Sequence, residues 1–290
     1  LNQHFLSHAT SFGNVTHLKI RLVGPAITQF CNAMISATSS IADECSDNYV
    51  KNRMMVSLRE LNLSFSVFSN VEEQVTALCK MLKFYEKLTS FSLFKCCFET
   101  EKKVETQKAV MQKSNAKLTD EEVVASTSTI HDGTIQALRI FNKELSREHL
   151  QRHILQLEKL DLRMNNLDYL IKNGKTAIKA AKNVMQNLVI QLLSHFSSTL
   201  THVLLPYLPN FGLQQEKITF TNLTRLFVSE PEQNNAENSA QWFPLMFPAL
   251  ESVQFNDFSG GNRADEKIFY EGFLKIPTFK SIETNLNYKK

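Results

Sequence analysis

Four groups of residues in this chain have types and spacings that chemistry could use. His149 and His153 stand four apart, which puts two imidazoles on one face of a helix in a metal-compatible arrangement. Leu150 follows His149 where a zinc protease would carry its Glu, and no third ligand stands nearby, so no metal site is expected. Asn173-Gly174-Lys175-Thr176 ends like a phosphate-binding loop, but Tyr169 occupies the place of that loop's first glycine. Lys172, Lys175, Lys179 and Lys182 fall at spacings of three and four and form a basic stripe along one helix face. A solvated outer surface is the simpler reading of the stripe, and a phosphate or nucleic-acid patch is the sharper one. Cys96 and Cys97 are adjacent and read as structural thiols. No Ser/His/Asp or Cys/His set assembles, so neither an enzyme, a cofactor nor a small-molecule substrate is expected.

Composition narrows the classes further. Apolar residues make up 43% and charged residues 21%, the balance of a folded chain and not of a disordered one. Thirty-two basic residues against 29 acidic ones leave a net charge of +3, which makes no electrostatic case for nucleic acid. No apolar run approaches the ~18 residues that a membrane span needs. The five cysteines are odd in number and lack any C-x-x-C spacing, so a reducing compartment is expected, cytoplasmic or nuclear. The sequons at Asn14, Asn62 and Asn222 fall in or beside proposed strands and read as chance.

The elements that must position these residues are organised around Leu157-Glu-Lys-Leu160-Asp-Leu162-Arg-Met-Asn165-Asn-Leu167. Leu160 and Leu162 are two apart and share one face of a short strand, with Asp161 on the other. Asn165 suits the turn that follows, since its side chain can satisfy backbone groups the turn leaves unpaired. The same pattern marks nine candidate strands, beginning at Val15, Leu58, Leu88, Ile135, Leu157, Leu200, Leu223, Leu250 and Phe279. Helical periodicity appears between them at 71–86, 146–155, 175–197, 239–247 and 265–274. Pro248 and Pro277 stand where a helix must stop before a strand. Residues 99–133 are charged and Ser/Thr-rich and read as an insertion, and 230–238 as a smaller loop.

The stretch at 157–167 resembles the leucine-rich-repeat consensus L-x-x-L-x-L-x-x-N-x-L. The resemblance implies an α/β solenoid with a curved parallel sheet on the concave side and helices on the convex side. A single domain over 1–290 with about nine irregular repeats is expected. The uneven repeat lengths and helical outer side are similar to those of the substrate-recruiting domain of F-box proteins; in that family the F-box lies upstream of the repeats, and none lies in this chain. Neither end carries a recognisable cap, so another domain, upstream sequence or a partner is expected to cover the N-terminal end.

In such a fold the third, fifth and seventh or eighth residues of each strand motif face away from the core. Phe94, Phe141, Leu204 and Phe227 are apolar at those places, with Tyr207 nearby and Arg139 and Arg163 between them. Apolar side chains flanked by Arg have the composition of a protein-binding hot spot. The expected function is a non-catalytic scaffold that recognises a protein partner on the concave face, within the F-box resemblance a substrate receptor of a ubiquitin ligase. The alternatives are a structural subunit of a large assembly and a nucleic-acid-binding scaffold that uses the basic helix.

Overall fold

The computed structural model describes residues 15–39, 57–85, 87–99, 133–146, 155–164, 176–209, 218–230, 240–255 and 263–284. Cys45, His149, His153, Asn165, Lys172, Lys175, the expected 230–238 loop apart from Glu230 and nearly all of the expected insertion lie outside them. The chain is mixed α/β and divides into two compact units, Leu1–Leu88 with Leu93–Leu155, and Thr89–Ser92 with Gln156–Lys290.

In the first unit, β1 (His17–Lys19) pairs in parallel with β2 (Glu60–Asn62), joined by the helix α1 (Pro25–Ser39). Gly24 takes a positive φ of 55°, and Pro25 starts the helix with its φ already helical. Ile27, Phe30, Cys31 and Met34 recur at spacings of three, one and three and form the buried stripe of α1. A second parallel pair joins β3 (Val67–Phe68) to β5 (Cys97–Phe98), two residues each, with Phe68 stacked on Phe98 at 4.6 Å. The helix α2 (Val71–Leu82) follows β3 and packs on α1. Asn70 caps it by accepting from the Glu73 amide, and Glu73 accepts in return from the Asn70 side chain.

The turns after β2 and after the Leu88 motif have Ser66 and Cys96 where the consensus has Asn. Both side chains bond a backbone group of an earlier turn: the Leu22 amide donates to Ser66 Oγ at 2.9 Å, and Cys96 Sγ donates to the Leu63 carbonyl at 2.9 Å. Ser66→Ala removes a buried acceptor and is expected to cost about 1–3 kcal/mol. Amide exchange at Leu22, and at Val67 whose N–H donates to the Leu22 carbonyl, reads the effect directly. Unchanged exchange at both would deny Ser66 this role.

One expected strand is overturned. Residues 133–144, read above as a strand from Ile135, form the helix α3. Its buried residues Thr134, Ala137, Leu138, Phe141 and Leu145 recur at three and four, and Asn142 donates to the Leu138 carbonyl one turn back. A strand would have buried alternate residues instead. Lys83 at the end of α2 pairs with Glu144 of α3 at 3.0 Å. Gly133 opens α3 against the Phe98 carbonyl, so closely that a Cβ would stand 2.4 Å from its oxygen.

Among the described residues the second unit holds six strands in the order β4 (Ser90–Ser92), β6 (Lys159–Asp161), β7 (His202–Tyr207), β8 (Arg225–Glu230), β9 (Ser252–Phe255) and β10 (Ser281–Thr284). All five pairings are parallel. Each strand enters the sheet in the same way: one carbonyl accepts two successive amides of the next strand. Thr89 takes those of Glu158 and Lys159, Glu158 those of Thr201 and His202, Thr201 those of Thr224 and Arg225, Thr224 those of Glu251 and Ser252, and Glu251 those of Lys280 and Ser281. Parallel strands need crossovers, and these include α4 (Thr176–His195), α5 (Phe243–Met246) and α6 (Arg263–Leu274). Leu160, Val203, Leu226 and Val253 alternate into the core. Phe243, Phe247, Phe255, Phe269 and Phe273 join them, with Phe255 of β9 meeting Phe273 of α6. No helix among the described residues is long and apolar enough to cross a membrane.

Candidate functional site

Side chains that alternate with this core form two rows on the opposite face of the second unit. In register, the first row reads Ser90, Lys159, His202, Arg225, Ser252 and Ser281. The second, two residues further along each strand, reads Ser92, Asp161, Leu204, Phe227, Gln254 and Glu283. The first row from Lys159 to Ser281 and the second from Leu204 to Glu283 line a groove of about 440 Å³. Leu204 and Phe227, neighbours on β7 and β8, form its half-buried apolar floor.

Arg163 reaches this floor. Its guanidinium lies 4.6 Å from the Phe227 ring centroid, while Nε and Nη2 donate to Asp161 at 2.9 and 2.8 Å. Asp161 is buried, also accepts from the Arg163 amide at 3.2 Å, and meets the Ser92 hydroxyl at 3.3 Å. The carboxylate thus holds the guanidinium over the Phe227 ring.

His202 sits in the first row, its Nδ1 2.9 Å from Thr201 Oγ1. Burial first, then Arg225 and Lys159 beside it, hold the imidazole below its ordinary value of 6.5, with Glu158 opposing them. The unfolded chain therefore binds this proton more readily than the folded one. Stability is expected to fall as pH drops through about 6.5 and to level off below the folded value of His202. Denaturation midpoints between about pH 5 and pH 8 check this, and a His202→Gln variant is expected to lose that part of the slope. An unchanged slope in the variant would assign it to another group.

The expected site residues divide between the units. Arg163, Leu204 and Phe227 come together. Tyr207, at the end of β7, is buried and offers no exposed ring. Phe141 is a correction: it lies in the core on α3, on no strand face, and Arg139 is exposed on the same helix. Phe94 belongs to the first unit, where it meets Phe65 edge-to-face at 5.6 Å, with Lys95 Nζ 5.3 Å from its ring centroid. Phe65 and Lys95 take left-handed backbone angles, φ 63° and 54°, at equivalent places in two successive turns. Lys179 and Lys182 fall within α4.

The Lys159–His202–Arg225 row escaped the sequence reading, although its signal was present: all three are third residues of their strand motifs. Among the described residues, no group of three or more His, Cys, Asp or Glu could hold a metal ion. Burial pushes the Cys31 thiol up to about 12, and burial with Glu144 nearby raises Cys79 well above its ordinary range, so both stay protonated at neutral pH.

The geometry defines a class, a mixed α/β chain whose parallel strands present an apolar floor between charged side chains. No protein-family model matches the chain, and a search of curated proteins finds no match.

Proposed function

We propose that this chain is a non-catalytic recognition module of leucine-rich-repeat type that takes a protein partner on the sheet face around Leu204 and Phe227. The observation that carries the reading is the Arg163–Phe227–Leu204 cluster: a guanidinium locked by a buried carboxylate and laid on an aromatic ring beside a second apolar side chain. Aromatic and Arg side chains of this kind dominate protein interfaces, since they bury large area at little entropic cost. The repeat class is supported by the two-amide entry common to the strands and by Ser66 and Cys96 at the place of the consensus Asn. The proposed architecture is a curved solenoid with strands on its concave side. A place as the substrate-recruiting part of a ubiquitin ligase rests on the F-box resemblance alone.

The test is affinity capture from native lysate with the wild-type chain beside Leu204→Asp/Phe227→Asp, both checked for native circular dichroism. A protein partner retained by the wild type and lost from the variant supports the reading. Recovery of the same partners by both moves the contact off this face.

A further inference from the structure

Lys159, His202 and Arg225 occupy one in-register row across three neighbouring strands. Adjacent strands lie about 4.8 Å apart, so three basic side chains rise from a narrow strip of sheet. Like charges opposite one another on a sheet repel and cost stability. Burial does most to hold His202 below its ordinary range; Arg225 and Lys159 add to it and Glu158 opposes them, so the repulsion is one part of that shift.

The acids around the row do not neutralise it. Asp161 is occupied by Arg163, and Glu251 pairs with Lys280 at 2.9 Å. Glu283 stands on β10, beyond β9 from Arg225, and Glu158 precedes β6. Among the described residues neither Lys159 nor Arg225 has an ion-pair partner, and both are exposed. The fold thus carries a strip of positive charge with an open side, next to the apolar floor.

We infer that this strip is the acid-binding half of a two-part docking surface whose occupant is an extended segment of a partner protein, with Asp or Glu two residues from an apolar side chain. This rests on the protein-recognition reading above and supplies its specificity. The distance argument is direct. The two rows are two residues apart along β7 and β8, about 6.6 Å. An extended peptide repeats its side chains on one face at the same interval, so a segment lying along these strands sets its carboxylate over Arg225 and His202. Its apolar residue then falls on Leu204 and Phe227. A continuous phosphate backbone fits less well, because the strip borders the apolar floor of Leu204 and Phe227, which offers successive phosphates no partner.

Selection of a random-peptide phage library on the full chain tests this, with the enriched peptides resynthesised and titrated by fluorescence anisotropy. The expected winners share acid-x-apolar or apolar-x-acid. Lys159→Glu/Arg225→Glu is expected to weaken them about tenfold or more, and Leu204→Asp/Phe227→Asp to abolish binding. Trp242 fluorescence confirms that each variant folds, and Lys159→Gln/Arg225→Gln serves if the reversal does not. Winners that lack an acid, ignore the charge reversal and are lost only with Leu204→Asp/Phe227→Asp overturn this inference and leave the recognition reading standing. Winners indifferent to both variants overturn both. No enrichment at all also overturns it, as does a labelled single-stranded oligonucleotide that binds in place of peptides and is released by the reversal.

Discussion

Replacing Phe273 with Ala is expected to cost the second unit about 3–5 kcal/mol. Phe273 is fully buried, stacks on Phe243 with centroids 4.5 Å apart, and meets Phe255 at 6.1 Å and Phe279 at 5.8 Å. One ring therefore ties α6 to α5, to β9 and to the approach to β10. The space it leaves cannot collapse easily, because Gly272 already brings α6 so close that a Cβ there would lie 2.7 Å from that of Ala240. The chain's single tryptophan, Trp242, adjoins Phe243 and reports this unit's unfolding by fluorescence. The urea midpoint is expected to drop by more than about 1 M. Leu274 is the internal control: it is next in sequence but 70% exposed, and Leu274→Ala is expected to stay within about 0.5 kcal/mol of the wild type. Equal losses at 273 and 274 would contradict the packing described.

Asp161→Ala is expected to cost about 3 kcal/mol and to disturb the candidate site at the same time. The carboxylate accepts from the Arg163 amide and from two guanidinium nitrogens, and its side chain is 7% exposed against 22% for Arg163. Removing it leaves a half-buried guanidinium with one fewer acceptor for each of those donors. Arg163 is then expected to leave the Phe227 ring for solvent. Arg163→Ala in the same background should add little, because its main partner has already gone. A double-mutant cycle measures this, with a coupling of about 1–3 kcal/mol expected. A coupling near zero would mean that the pair contributes nothing to the fold. If partner capture survives Asp161→Ala at full strength, the stacked guanidinium is not part of the contact.

Much of the strand layout was legible before any coordinates. Eight of the strand motifs read from the sequence hold strands, each beginning two residues after its leading apolar residue, because alternation on a short strand leaves a period-two mark. Helices α2, α4 and α6 were legible from their helical periodicity, and Pro248 and Pro277 marked the ends of α5 and α6. Helix α1 went unread, although Gly24-Pro25 and the stripe from Ile27 to Met34 signalled it. The two-residue strands β3 and β5 are too short to carry a period at all.

What the sequence determined by itself is therefore local: which stretches could be strands, and which of their residues would face away from the core. Only the tertiary structure decided between strand and helix at 133–144. Apolar residues at 135, 138 and 140 satisfy the strand motif, while burial follows Thr134, Ala137, Leu138 and Phe141, and the core that chooses between the two periods is not local. The tertiary structure also decided the neighbours. Lys159, His202 and Arg225 lie far apart in the chain and become one row through parallel register, a property of pairing between strands and not of any one strand. Likewise Arg163 was legible as an outward-facing cation, but its charge is held by Asp161 and it lies over the Phe227 ring, because β6, β7 and β8 lie side by side.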